Sequence, residues 1–261
     1  MNRVLGPVFL FVRDSIIYYL CNMKHFGLIG RPLGHSASAV YFSEKFAAQC
    51  IEAEYSLYEL EDITQVEPLR TKLCGFNVTI PYKKEILPYL SAISDEAERV
   101  GAVNCVKVCD NGELHGYNTD VIGIRDTLSP YNLQGKKALV LGTGGAAAAV
   151  NFVLKEMGVE VVSVSRNKGA DTLTYDKVTD ELISATTLIV NATPVGMYPK
   201  IDQAPDIPYS ALTSQHILFD LIYNPAVTLF LQRGSEQGAT ILGGGEMFRA
   251  QAEASWEIWN R

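Results

Sequence analysis

The chain has 261 residues, 48% of them hydrophobic, with 22 basic and 29 acidic side chains for a net charge of −7. That length allows one large or two modest domains with packed cores. An acidic chain without a lysine or arginine block lacks the electrostatic footprint of a duplex-binding protein, which excludes nucleic acid as a partner class. Five cysteines, at 21, 50, 74, 105 and 109, are an odd number without the paired spacings of a zinc site. They indicate a reducing, cytoplasmic compartment and no metal.

In chain order, residues 4–21 are apolar but interrupted by Arg13 and Asp14. A membrane span needs about 20 apolar residues, and a signal peptide needs a basic start and a small-residue cleavage site, so neither fits. The expectation is that the functional protein begins at Met23, with residues 1–22 an extension outside the fold. Short apolar runs then alternate with helical periodicity: strand 26–29, helix 40–50, strand 55–60, helix 63–73 and strand 75–80, a βαβαβ pattern. Strands at 102–108 and 114–117 flank Asp110-Asn111-Gly112, whose turn chemistry fits a hairpin and therefore a mixed sheet. A helix at 121–128 and a break at Ser129-Pro130-Tyr131-Asn132 lead into a second half.

That half restarts the alternation with strands at 137–141, 159–164, 187–190, 217–221 and 240–242, and a small-residue helix at 145–157. The pattern is doubly wound. The fold class expected is α/β: a mixed-sheet substrate domain over 23–122 and a Rossmann-type dinucleotide-binding domain over 123–244. A helix over 245–261 follows the hinge-like triplet Gly243-Gly244-Gly245 and returns to the first domain.

The run Ala138-Leu139-Val140-Leu141 enters Gly142-Thr143-Gly144-Gly145-Ala146-Ala147, which matches G-x-G-x-x-G/A between a strand and a helix. Gly142 permits the tight turn, Gly144 lets backbone approach a pyrophosphate, and Ala147 keeps the helix close to the sheet while its dipole faces the anion. About 20 residues on, where an acid would read a ribose 2′-hydroxyl, stands Ser165-Arg166-Asn167-Lys168. Arg166 can pair with a 2′-phosphate, which selects NADP(H) over NAD; the alternative is a solvated surface arginine.

Four polar loop segments in the first half exceed what folding requires: Gly34-His35-Ser36-Ala37-Ser38, Asn77-Val78-Thr79-Ile80-Pro81-Tyr82-Lys83, Gly101-Ala102-Val103-Asn104 and Gly116-Tyr117-Asn118-Thr119-Asp120. Taken alone, Ser38 reads equally as a helix N-cap, whereas Asp120 reads first as an N-cap and Lys83 as a solvated lysine.

In order, and joined by the glycine loop, Asn191-Ala192-Thr193-Pro194-Val195-Gly196-Met197, Asp220-Leu221-Ile222-Tyr223-Asn224-Pro225 and the segment from Gly245 to Gln251-Ala252, these stretches resemble the shikimate dehydrogenase family from about Lys24 to the C-terminus. The resemblance implies reversible NADPH-dependent reduction of 3-dehydroshikimate to shikimate in aromatic amino acid biosynthesis. It implies Lys83 and Asp120 as the catalytic pair, and Ser36, Ser38, Thr79, Asn104, Tyr223 and Gln251 as further substrate-binding residues. Cofactor contacts fall on Gly142, Thr143, Gly144, Gly145, Ala146, Ser165, Arg166, Asn167, Leu221 and Gly244, with Asp95 also matching a cofactor-side position.

The residue types suit this chemistry, because reducing a ketone places negative charge on oxygen and requires a proton. A lysine ammonium supplies both, and a carboxylate can orient it. Departures from the family pattern are Gly34, Ala39, Thr143 and Asn167-Lys168. Two competing readings are a quinate/shikimate dehydrogenase with broader cofactor use and a non-catalytic NADP-binding module; the presence of both Lys83 and Asp120 argues against the second. The partner expected is a small molecule, with no nucleic acid and no membrane, and the assembly a monomer or homodimer.

Overall fold

A computed structural model describes residues 23–261 apart from His35, Lys168 and Ala170. The expectations for residues 1–22 and for Lys168 therefore lie outside the described residues.

The first sheet forms from β1 (Lys24–Gly30), β2 (Ala53–Glu59), β3 (Gly75–Val78), β4 (Ala92–Ile93), β5 (Cys105–Val108) and β6 (Leu114–Tyr117) in the order β2-β1-β3-β5-β6-β4. β1 pairs in parallel with β2 and β3, whereas β5 runs antiparallel to both β3 and β6. The mixed sheet follows from the turn at 109–113, where Gly112 takes φ 80° and Asn111 accepts from the Glu113 backbone N–H at 3.1 Å. Helix α1 (Ala37–Ala48) buries Ser38, Phe42 and Phe46, a four-residue spacing that keeps one stripe on the sheet. Helix α2 (Asp95–Val100) is capped by Ser94, which accepts from the Ala97 N–H, and ends on left-handed Gly101.

Residues 63–73, expected as an α-helix, form a 3-10 helix at Ile63–Thr71. The buried residues Ile63, Val66 and Leu69 recur every third position, which matches three residues per turn. Pro68 lies inside and removes one backbone donor. Two predicted strands are also shorter than expected. Strand β3 stops at Val78, because the Thr79 carbonyl turns to accept from Tyr82 N. The run from Ala102 enters the ladder only at Cys105, after Val103 N has bonded Lys83 O at 2.8 Å.

Helix α3 (Asp120–Leu128) leads to the second sheet. This comprises β7 (Lys137–Leu141), β8 (Glu160–Ser165), β9 (Thr172–Thr174), β10 (Leu188–Asn191), β11 (Ile217–Asp220) and β12 (Thr240–Leu242), ordered β12-β11-β10-β7-β8-β9. Neighbouring strands in this order all run parallel. The strand order reverses between β7 and β10, and the crevice beyond their carboxyl ends is where this topology receives dinucleotides. Helix α4 (Gly145–Glu156) packs Ala147, Val150, Val153 and Leu154 against the sheet, while α5 (Asp180–Ser184) and α6 (Leu229–Glu236) cover further parts of it.

The last helix, α7 (Gly245–Trp259), crosses back to the first sheet. Its Ala252, Ile258 and Trp259 share a core with Phe26, Phe42 and Tyr55, and the Trp259 indole stacks on Phe26 at 4.9 Å while donating to Val106 O at 3.0 Å. Gly123 of α3 lets the two helices touch, since a Cβ there would lie 2.5 Å from Met247 O. The triplet at 243–245 serves close approach at its first two members: a Cβ on Gly243 would sit 3.0 Å from Ala226 O, and one on Gly244 2.4 Å from Leu221 O.

Candidate active site

Lys83 follows β3 at the end of a turn whose carbonyl is held by Val103 N, and Asp120 is the first residue of α3. Their side chains meet: Lys83 Nζ donates to Asp120 Oδ2 at 2.6 Å, with the lysine side chain 14% and the carboxylate 7% exposed. The other carboxylate oxygen accepts from Asn104 Nδ2 at 2.8 Å. Asp120 is therefore an acceptor for two donors, and its charge is matched inside a site mostly shielded from water. It is not the cap of α3; Thr119 is the N-cap residue, and Asn118 Oδ1 accepts from Val121 N at 3.4 Å.

The orientation of Asn104 is settled by its neighbours. Asn104 Oδ1 takes the Thr119 backbone N–H at 2.6 Å, a group that can only donate, so the amide NH2 must face the carboxylate. Gln251 of α7 brings Oε1 to 3.5 Å from Asn104 Nδ2 and 3.4 Å from Thr119 Oγ1, and its own amide donates to Phe248 O at 3.0 Å. Ser36 caps α1, accepting from Ser38 N at 3.2 Å, and Ser38 is buried in the first turn of that helix. Burial raises the Tyr55 phenol well above its ordinary range, which keeps it a neutral donor to Asn77 Oδ1 at 2.9 Å. Thr79, half-buried, stands on the loop between β3 and Lys83. Tyr223, 39% exposed, comes from the loop after β11 and packs on Phe248 with ring centroids 4.8 Å apart.

On the opposite wall, the turn after β7 has the shape its glycines predict. Gly142 takes φ 117°, and a Cβ there would lie 2.9 Å from Ala192 O. Gly144 caps α4, with open space where a Cβ would project, and the first intrahelical bond is Ala148 N to Gly144 O at 3.0 Å. The N–H groups of Gly145, Ala146 and Ala147 thus precede the helical ladder, a backbone cradle suited to an anion. A Cβ on Gly145 would stand 3.0 Å from Lys83 Cβ, so the loop of the second sheet abuts the lysine of the first. Thr143 is exposed at the turn's tip.

Ser165 ends β8 and accepts from Asn167 N at 3.4 Å; Arg166 is exposed beside Tyr175, whose phenol its charge draws downward against the effect of burial. Leu221 and Gly244 meet one another, since a Cβ on Gly244 would fall 2.4 Å from Leu221 O. Asp95 is exposed in the first turn of α2, where the helix dipole favours an acid. Among the described residues no cluster of metal-ligating side chains occurs, no helix is long and apolar enough to cross a membrane, and Cys50, Cys74, Cys105 and Cys109 are free thiols.

Residues 28–106 match a family model described as the shikimate dehydrogenase substrate binding domain. A Clostridium beijerinckii shikimate dehydrogenase (NADP(+)) is 36% identical over 91% of this chain and 92% of its own length. The chain belongs to the shikimate dehydrogenase family. A Methanosphaera stadtmanae member with the same name is 34% identical over 89% of this chain and 90% of its own. The fold agrees: the Thermus thermophilus shikimate 5-dehydrogenase, crystallised with NADP(H) and shikimate, superposes with a TM-score of 0.80 at 31% identity over 91% of this chain and 93% of that one.

Sequence reasoning gave no role to four polar residues that the structure gathers behind the site, three of them inside the polar segments it quoted. Asn77 donates to Ser255 Oγ at 2.9 Å, Ser255 and Thr119 hydroxyls lie 3.1 Å apart, and Asn118 Nδ2 holds Ala102 O at 2.8 Å. A signal was present in two cases. Asn77 is a polar residue inside an apolar strand run, and Ser255 lies four residues after Gln251 on the same helix face.

A further buried acid, Asp220, ends β11. It accepts from Asn191 Nδ2 at 3.1 and 3.2 Å, from Ile222 N at 3.0 Å and from Thr228 Oγ1 at 2.6 Å, and burial pushes its carboxyl up to about 6. It ties the loop after β10 to the loop after β11.

Proposed function

We propose that this chain catalyses the reversible NADPH-dependent reduction of 3-dehydroshikimate to shikimate, in the reducing cytosol and as a monomer or homodimer. The observation that carries the reading is the Lys83–Asp120 pair, 2.6 Å apart and shielded from water, with the glycine turn of the dinucleotide-type sheet in contact with Lys83. A bound nicotinamide supplies the hydride.

The side chains supply the rest. Lys83 Nζ stabilises the negative charge that develops on the carbonyl oxygen and delivers a proton to it. Asp120 orients the ammonium, and Asn104 fixes the carboxylate from its other oxygen. Ser36, Ser38, Thr79, Tyr223 and Gln251 offer hydroxyls and an amide to the carboxylate and hydroxyls of the substrate; a site built for such bonds rejects analogues that lack them, because its polar groups are then left unpaired. The free N–H groups at the start of α4 take the pyrophosphate, and Arg166 takes the 2′-phosphate.

Initial rates with shikimate and with quinate, each with NADP and NAD, test the assignment: the shikimate and NADP pair gives the highest kcat/KM. Lys83→Ala lowers kcat by about 100- to 10,000-fold while circular dichroism is retained. Near-normal turnover in that variant removes Lys83 from the chemistry.

A further inference from the structure

Resting on the assignment of Lys83, Asp120 and Asn104 above, we propose that Thr119 and Ser255 are positioning residues that set the direction of hydrogen bonding at Asn104 and so hold its amide on the catalytic carboxylate. Both are fully buried.

The argument is an accounting of protons. Ser255 Oγ lies 2.9 Å from Gln251 O, a carbonyl that can only accept, so the serine proton goes there. The serine oxygen is then an acceptor. It receives Asn77 Nδ2 at 2.9 Å, and Asn77 is itself fixed because its Oδ1 takes the Tyr55 hydroxyl and its amide also donates to Asn104 O at 3.2 Å. Thr119 Oγ1 lies 3.1 Å from that oxygen, and with the serine proton held by Gln251 O the threonine hydroxyl is the donor of this pair. With its single proton committed away from the site, the Thr119 oxygen is an acceptor toward Asn104 Nδ2 at 3.0 Å.

Asn104 is thereby gripped at three points. Its Oδ1 takes Thr119 N, and its NH2 is divided between Thr119 Oγ1 and Asp120 Oδ1. Without the threonine oxygen, the nearest further acceptor for that NH2 is Gln251 Oε1 at 3.5 Å, which would draw the amide toward α7 and off Asp120. Without the serine oxygen, the threonine proton turns to Asn104 Oδ1 at 3.2 Å or Gln251 Oε1 at 3.4 Å, and occupies an acceptor needed in the site. A helix at the C-terminal end of the chain thus governs the polarity of a site built mainly from the first sheet.

Steady-state kinetics and melting temperatures of Thr119→Val, Thr119→Ser, Ser255→Ala and the double variant Thr119→Val with Ser255→Ala test this. Thr119→Val, which keeps the shape and loses the hydroxyl, lowers kcat/KM roughly tenfold or more, as expected when a buried donor loses its partner, and Thr119→Ser restores it to within about threefold. Ser255→Ala lowers it by several-fold. The double variant is no slower than Thr119→Val within about twofold, because both act through one chain of bonds. Equal losses in Thr119→Val and Thr119→Ser would mark a packing role and overturn the proposal, as would wild-type rates in Thr119→Val or additive losses in the double variant. Should Thr119→Val fail to fold, full activity in Ser255→Ala alone rejects it. Lys83→Ala run alongside separates the premises: if that variant turns over normally the catalytic assignment is at fault, and if it is inactive while the hydroxyl variants are normal only the positioning proposal fails.

Discussion

At the scale of single residues, charge placement decides more than packing. Arg166 is exposed at the end of β8, and under the proposed function it would pair with a 2′-phosphate through a charge-assisted bond that a carboxylate would convert to repulsion. Arg166→Asp is expected to raise KM for NADPH roughly tenfold or more, with far less effect on KM for NADH. Unchanged cofactor selectivity in initial-rate assays would place the arginine outside the cofactor site.

Asp220 carries a pH dependence of its own. Burial lifts its carboxyl from 3.8 to about 6, so between those values the folded chain holds a proton that the unfolded chain has released. The contribution of this group therefore falls as pH rises through that window and recovers on acidification, by about 3 kcal/mol in all. Denaturant unfolding of wild type and Asp220→Asn at pH 4 and pH 7 checks it: wild type minus variant stability is smaller at pH 7, and a difference independent of pH contradicts the buried-acid account.

At the scale of elements, the fit of one helix against one strand is the sharpest constraint. Gly75 of β3 lies under Trp259, and a Cβ there would fall 2.3 Å from the indole. Gly75→Ala forces the ring off Phe26 and is expected to cost about 1–3 kcal/mol. A lowered denaturation midpoint reads this out, whereas an unchanged midpoint means the indole does not rest on that glycine.

Elements were legible in the sequence where period and punctuation agreed. The hairpin around Asn111-Gly112, the run into Gly142 and the parallel strands of the second sheet all announce themselves through short apolar runs bounded by turn residues. The segment at 63–71 did not, because apolar residues three apart satisfy both an α-helical and a 3-10 reading, and Pro68 decides between them. Strand ends at Val78 and Cys105 were obscured because the residues beyond them bond across the site instead of along the ladder.

At the scale of the whole molecule, each sheet has apolar clusters of its own and a further cluster joins the two halves. Ala102, Val121, Ile124, Leu128 and Met247 share one apolar cluster with Ala138, Val140, Val150 and Leu188 of the second sheet and its helix. Above it Arg125 bonds Glu96 at 2.8 Å and Glu156 at 2.9 Å, joining α2, α3 and α4. Such part-exposed pairs add little, and removal of the apolar cluster from water contributes most of what holds the halves together. Calorimetry should therefore show a single cooperative unfolding transition, and two resolved transitions would mean that the shared cluster does not couple the halves.

The sequence by itself determined the α/β alternation, the glycine turn and the polar residue types of the site, since these depend on periodicity, backbone freedom and chemistry that a linear chain displays. Only the tertiary structure decided the direction of each hydrogen bond: that Asp120 faces Lys83 rather than capping its own helix, that Asn104 turns its NH2 to that carboxylate, and that Ser255 stands behind Thr119. The physical reason is separation along the chain. Lys83 and Asp120 are 37 positions apart and Thr119 and Ser255 are 136, so which donor meets which acceptor is set by how the sheets and α7 pack and is written in no local pattern.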